Sequence, residues 1–126
     1  MLNKIDLMGR LVADPDLRYT QNQKAVCSFT LAVERDYQPG GSERATDFIP
    51  CVIWNSGAEF VSRHFKKGKM MAISGRLQSR KWQDKEGNSR IAWEVVADNS
   101  YFCGDKEPMK EQKMQELPDD EEELPF

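Results

Sequence analysis

The chain has 126 residues, 39% of them hydrophobic and 31% charged, with a formal net charge of −3. That length has room for one modest core, and the composition is more polar than a typical globular chain. The charge is unevenly spread: residues 1–104 hold 15 Lys and Arg against 12 Asp and Glu, and residues 105–126 hold 3 against 9. A mildly basic body is therefore masked by an acidic tail. No apolar run reaches the length of a membrane span and the N-terminus lacks a signal-peptide core, which points to the cytoplasm. Cys27, Cys51 and Cys103 are widely spaced and His64 is the single histidine. That pattern reads as free thiols in a reducing compartment, with neither a metal-ligand spacing nor a cofactor motif.

Residues 3–13 alternate Ile5, Leu7, Gly9 and Leu11 with polar partners, the two-residue period of a strand, with Gly9 as a bend. Asp14-Pro15 breaks it, and 14–24 reads as a polar loop. AVCSFTLAVE, 25–34, is a second strand, and RDYQPGGSER, 35–44, a long connection. A third strand follows over 45–54, with Pro50 inside it arguing for an edge or a bulge. Ser56-Gly57-Ala58-Glu59 then matches a capping box with Ser56 as N-cap, and Ala58, Val61 and Phe65 keep helical spacing up to Gly68 as the left-handed stop. Residues 69–82 return to strand character, 84–88 form a polar turn, and 90–103 are the last strand. The expected fold is all-β with one short helix between the third and fourth strands. That order suits a five-stranded closed barrel of the OB type. Low hydrophobicity and high charge make 105–126 a disordered acidic tail, so the chain divides into an OB-type barrel domain (1–104), a short flexible linker (105–118) and an acidic tip (119–126).

Alternation sorts the side chains by face. Phe48, Val52 and Trp54 share one face of the third strand, and Ser74, Arg76, Gln78, Arg80 and Trp82 share one face of the fourth. Cations and amides interleaved with rings suit single-stranded nucleic acid, because the cations track phosphates while rings stack on unpaired bases. Packing in a core is an equal alternative for Phe48 and Trp54. Trp93, on the Ile91/Val95 face, is expected in the core, and Tyr37 is either a loop anchor or a stacking platform. Lys66-Lys67-Gly68-Lys69 also reads as favourable charge at a helix C-terminus. No nucleophile–base pair and no phosphate loop occur, so an enzyme is not expected.

The segments NKIDLMGRLVADPDLRY (3–19), AVCSFTLAVER (25–35), TDFIPCVIW (46–54), FKKGKMMAISGRLQSRKW (65–82) and the closing DDEEELPF are specific in combination. Together they resemble the bacterial single-stranded DNA-binding proteins over residues 3–103. The resemblance implies an OB fold with 1–104 as the single-stranded DNA-binding domain, a homotetramer, and non-catalytic binding of single-stranded DNA without sequence preference, in replication, repair and recombination. It places base stacking on Tyr37, Phe48, Trp54 and Trp82, and phosphate contacts on Lys67, Arg80 and Lys81, to which Arg10, Arg35 and Arg76 are added as further cations. Ser56 stands where some members carry lysine, Gln23 replaces a glycine often found in its loop, and the long linker of many members is absent.

In that family the acidic tip docks replication, repair and recombination enzymes. Here the tip is Asp119, Asp120, Glu121, Glu122, Glu123, Leu124, Pro125 and Phe126. The carboxylates suit encounter with a basic surface, and the Phe126 ring with a terminal carboxylate suits an apolar pocket beside a cation. The rival expectation is an OB-fold adaptor for protein assembly with weak nucleic-acid binding.

Overall fold

Strand β1, Ile5–Leu11, changes partner along its length, and that change closes the sheet. In the computed structural model, which describes residues 1–36 and 45–104, the further elements are β2 (Asp16–Tyr19), β3 (Ala25–Glu34), β4 (Thr46–Trp54), α1 (Ser56–His64), β5 (Met70–Gln83) and β6 (Ser89–Phe102). Residues Ile5 to Arg10 pair antiparallel with β5, while Arg10 and Leu11 pair with Ala32 and Leu31 of β3. The turn of the barrel wall falls at Gly9, where a Cβ would lie 2.5 Å from the Ala32 carbonyl oxygen. Only glycine lets the two backbones approach so closely.

The ring runs β1–β5–β6–β4–β3 and back to β1. Its one parallel contact joins β4 to β6 through Cys51–Val95, Val52–Val96 and Ile53–Ala97. This is the five-stranded OB barrel with a single helix between its third and fourth staves. Pro50 pairs with Thr30 of β3 just before the contact with β6 begins, so its missing N–H falls where β4 has one partner.

Three local expectations fail. Residues 14–24 are not all loop: β2 pairs with β3 from Asp16↔Ser28 to Tyr19↔Ala25, taking the stretch of β3 edge that β1 leaves open. Four residues with one half-buried apolar side chain, Leu17, are too short to register as a period. The capping box is not formed either. Asn55, not Ser56, is the N-cap, with φ 63 and ψ −136 and no side-chain cap bond, and its carbonyl accepts from the amides of Ala58 and Glu59. The helix starts directly at the end of β4, which leaves no residue in which Ser56 could act as a separate cap. Gly68 is left-handed (φ 88) but lies beyond the Phe65 C-cap, where its N–H donates to the Leu11 carbonyl.

The core is the inner face of the ring plugged by α1. Leu11, Cys27, Phe29, Leu31, Ile53, Met71, Ile73 and Val95 are buried against Ala58, Val61 and Phe65. Phe65 stacks on Phe102 at 5.0 Å and meets Phe60 edge-on at 6.4 Å. The Tyr19 hydroxyl donates to Glu59 at 3.0 Å and ties β2 to the helix. Burial pushes the Cys27 thiol up to about 11 and the Cys51 thiol up to about 12, so both stay protonated and inert at neutral pH. Among the described residues Phe65 is the largest fully buried side chain. Phe65→Ala is expected to destabilise the barrel by about 3–5 kcal/mol, read as a lowered urea midpoint at an unchanged slope.

Candidate nucleic-acid interface

The antiparallel ladder of β5 and β6 does not stop where the core stops. Pairing continues from Gly75↔Ala97 to Gln83↔Ser89, yet residues 76–83 are all exposed, so the two strands leave the barrel as a hairpin arm. The base of the arm is clamped by Asn3, whose amide nitrogen donates to the Leu77 carbonyl at 2.9 Å and whose oxygen accepts from the Leu77 N–H at 3.0 Å. The tip is organised by Asp84. Its Oδ1 accepts from the Asn88 and Glu86 amides at 2.9 and 3.0 Å, and its Oδ2 from Arg90 Nε at 3.1 Å. Those donors, the Asn88 amide foremost, hold the Asp84 carboxyl below its ordinary value.

Phe48, Trp54 and Trp82 are 65%, 40% and 45% exposed, so none of these rings serves the core. Phe48 and Trp54 lie on the outer face of β4, and Trp82 lies on the hairpin opposite Arg90. Tyr37 and the tip residues 119–126 lie outside the described residues. Trp93 departs from expectation: it is 56% exposed, because β6 at that point is still in the hairpin arm, short of the barrel, and has no interior to face. The alternation that assigned it to the Val95 face is correct, but the core ends before it.

Beside Trp54 the fold brings Thr20, Asn22, Lys24 and Asn55 around a shallow cleft. Sequence reasoning missed these four. The polar loop was visible, but nothing local placed it against a ring at the end of β4. The cleft is flanked by the two non-glycine residues with positive φ among those described, Gln23 (φ 68) and Asn55 (φ 63). Gln23 thus occupies a left-handed position that glycine fills without strain.

The cations separate into groups. Arg10 Nη1 donates to the Gly68 carbonyl at 3.0 Å and the Lys67 amide donates to Asp14 at 2.9 Å, which gathers both at the corner joining β1 to the segment after α1. Arg35 grips Asp47 with two bonds of 3.0 and 3.1 Å, raising its own pKa and lowering that of the carboxyl. On the hairpin, Arg76 lies 4.0 Å from Asp98 and Arg80 lies 3.8 Å from Glu94. Exposed pairs of this kind are worth little, so a phosphate can replace the carboxylate at small cost. Among the described residues no group of His, Cys, Asp and Glu is arranged to hold a metal ion, and no helix is long and apolar enough to cross a membrane.

Comparison with known proteins bears on this arrangement. Residues 2–103 match the model of the single-strand binding protein family. The chain belongs to that family. A single-stranded DNA-binding protein of Caldanaerobacter subterraneus is 44% identical over 124 residues, 98% of this chain and 81% of the relative. Single-stranded DNA-binding protein 2 of Listeria monocytogenes is 45% identical, covering 84% of this chain and 66% of the relative. A namesake from Oceanobacillus iheyensis is 44% identical with the same coverage. Against these last two the chain spans just under two thirds of the family member's length.

The Asp84 turn makes the hairpin tip acid-sensitive. A carboxyl held below its ordinary 3.8 contributes order that is complete above that pH and is lost as pH falls through the depressed value. In an acid titration the amide resonances of Glu86 and Asn88 are expected to shift together with a midpoint below 3.8, and Asp84→Ala is expected to abolish that transition.

Proposed function

We propose that this chain coats exposed single-stranded DNA in the cytoplasm, without sequence preference and without catalysis, during replication, repair and recombination. The observation that carries the reading is the set of solvent-exposed rings Phe48, Trp54 and Trp82, the last on one hairpin face with Arg76 and Arg80, on a barrel of this family. Rings of this kind stack on bases of any identity, and the cations of the body (Arg10, Arg35, Lys67, Arg76, Arg80 and Lys81) take phosphates. Tyr37 adds a fourth ring. The working unit is a homotetramer, as the family resemblance implies, and no cofactor enters.

The tip, Asp119 to Phe126, recruits partner enzymes: five carboxylates speed encounter with a basic surface, and Leu124, Pro125 and Phe126 supply the apolar anchor. A second reading, an adaptor with weak nucleic-acid binding, draws support from the ion pairs that already occupy Arg35, Arg76 and Arg80.

Titration with oligo-dT is expected to quench tryptophan emission strongly and a matched duplex to leave it nearly unchanged. The affinity should fall with salt at a slope of about −0.7 per phosphate neutralised. Salt-insensitive binding, or equal affinity for duplex, refutes the proposal. Deleting residues 119–126 is expected to preserve or strengthen binding to the oligonucleotide while removing capture of a tip-binding enzyme in a pull-down. If Trp82→Ala leaves oligonucleotide affinity unchanged, the adaptor reading holds instead.

A further inference from the structure

Lys81 and Trp82 are neighbours in sequence but stand on opposite faces of the hairpin, because successive strand residues alternate. Trp82 shares its face with Arg76, Gln78 and Arg80, and across the ladder with Arg90 and Glu94. Lys81 shares the other face with Leu77 and Ser79, and across the ladder with Ile91 and Trp93. On this second face Leu77, Ile91 and Trp93 are 41%, 58% and 56% exposed.

The two faces differ in charge. On the Trp82 face the guanidinium groups lie beside carboxylates: Arg80 by Glu94 at 3.8 Å and Arg90 by Asp84 at 3.1 Å. Among the described residues no carboxylate accompanies Lys81 on the second face, where its ladder companions are apolar or carry neutral hydroxyl and amide groups (Ser79, Gln83 and Ser89). A strand that meets both Trp82 and Lys81 has to round the edge of the arm. Having done so it lies over Trp93, which is the diagonal neighbour of Lys81, roughly 7–8 Å away in an antiparallel pair.

We infer that Trp93 is a further base-stacking residue and that single-stranded DNA runs over both faces of the hairpin, with a base on Trp93 and the adjoining phosphate on Lys81. The inference rests on the single-strand binding reading above. A protein occupant fits the face less well. Lysine is depleted from the centres of protein interfaces, whereas a ring beside an ammonium group is the make-up of a single-strand groove. The face is also continuous, through the same two strands, with the Trp82 side.

The test uses the full chain and a fluorescently labelled oligo-dT followed by anisotropy, with sedimentation of each protein alone. Trp93→Ala is expected to weaken binding at least about fivefold, the lower end of what losing one stacked base costs, at unchanged sedimenting mass. Trp93→Phe is expected to restore most of the affinity, which a merely structural role for the indole would not require. Unchanged affinity in Trp93→Ala overturns the inference. A loss of affinity that follows a change in subunit number also overturns it and assigns the face to contact between copies. A wild-type chain that does not bind the oligonucleotide refutes the functional reading itself, and this inference with it.

Discussion

Backbone hydrogen bonding between β5 and β6 beyond the last core residue is the constraint on which the hairpin surface depends. A two-stranded ribbon is marginal in water by itself. This one is held at both ends: Asn3 brackets Leu77 where the arm leaves the barrel, and Asp84 gathers three donors at its tip. Between those clamps the ladder is free of packing duties. Its side chains are therefore available to solvent on both sides, which a strand in the barrel wall never offers.

The barrel supplies the rigidity behind this arm. Closing β1 onto β3 after it has paired with β5 joins the ends of the ring, and α1 seals one end with Ala58, Val61 and Phe65. The sharp exit from β4 into the helix forces Asn55 into a backbone conformation that side chains rarely adopt. Gln23 does the same across the cleft. Strain of this sort persists only where surrounding structure holds it, and here it frames the exposed ring of Trp54.

Charge on this surface is arranged more as loosely held pairs than as bare cations. Arg35, Arg76 and Arg80 each lie beside a carboxylate with both partners substantially in water, except for the more sheltered Glu94. Screening makes such pairs weak, and it makes their exchange for phosphates sensitive to salt. The body's modest positive balance is thus distributed in a way that total charge does not reveal, with Lys81 on a face of the arm where none of the described residues is an acid.

Much of the fold was legible in the order of residues. The two-residue period from Ile5 to Leu11, the run AVCSFTLAVE and the single helical stretch after Trp54 are local patterns that backbone geometry obliges, and they specify strands and helix without knowledge of their neighbours. Resemblance in the RKW, DPDLRY and DDEEELPF segments pointed to the family. Side-chain alternation also grouped Phe48 with Trp54, Trp82 with Arg80, and Trp93 with Val95, and the ladder registers keep those groupings. Tertiary structure decided how far the core extends. Trp93 reads as buried because it shares a face with Val95, yet the barrel wall ends between them, and where a wall ends depends on how many strands close it. The same holds for β2, which exists because β1 vacates part of the β3 edge, and for the cleft that unites Asn22, Lys24 and Asn55 with Trp54. Periodicity records which way a side chain points; only the closed sheet determines whether protein or water lies in that direction.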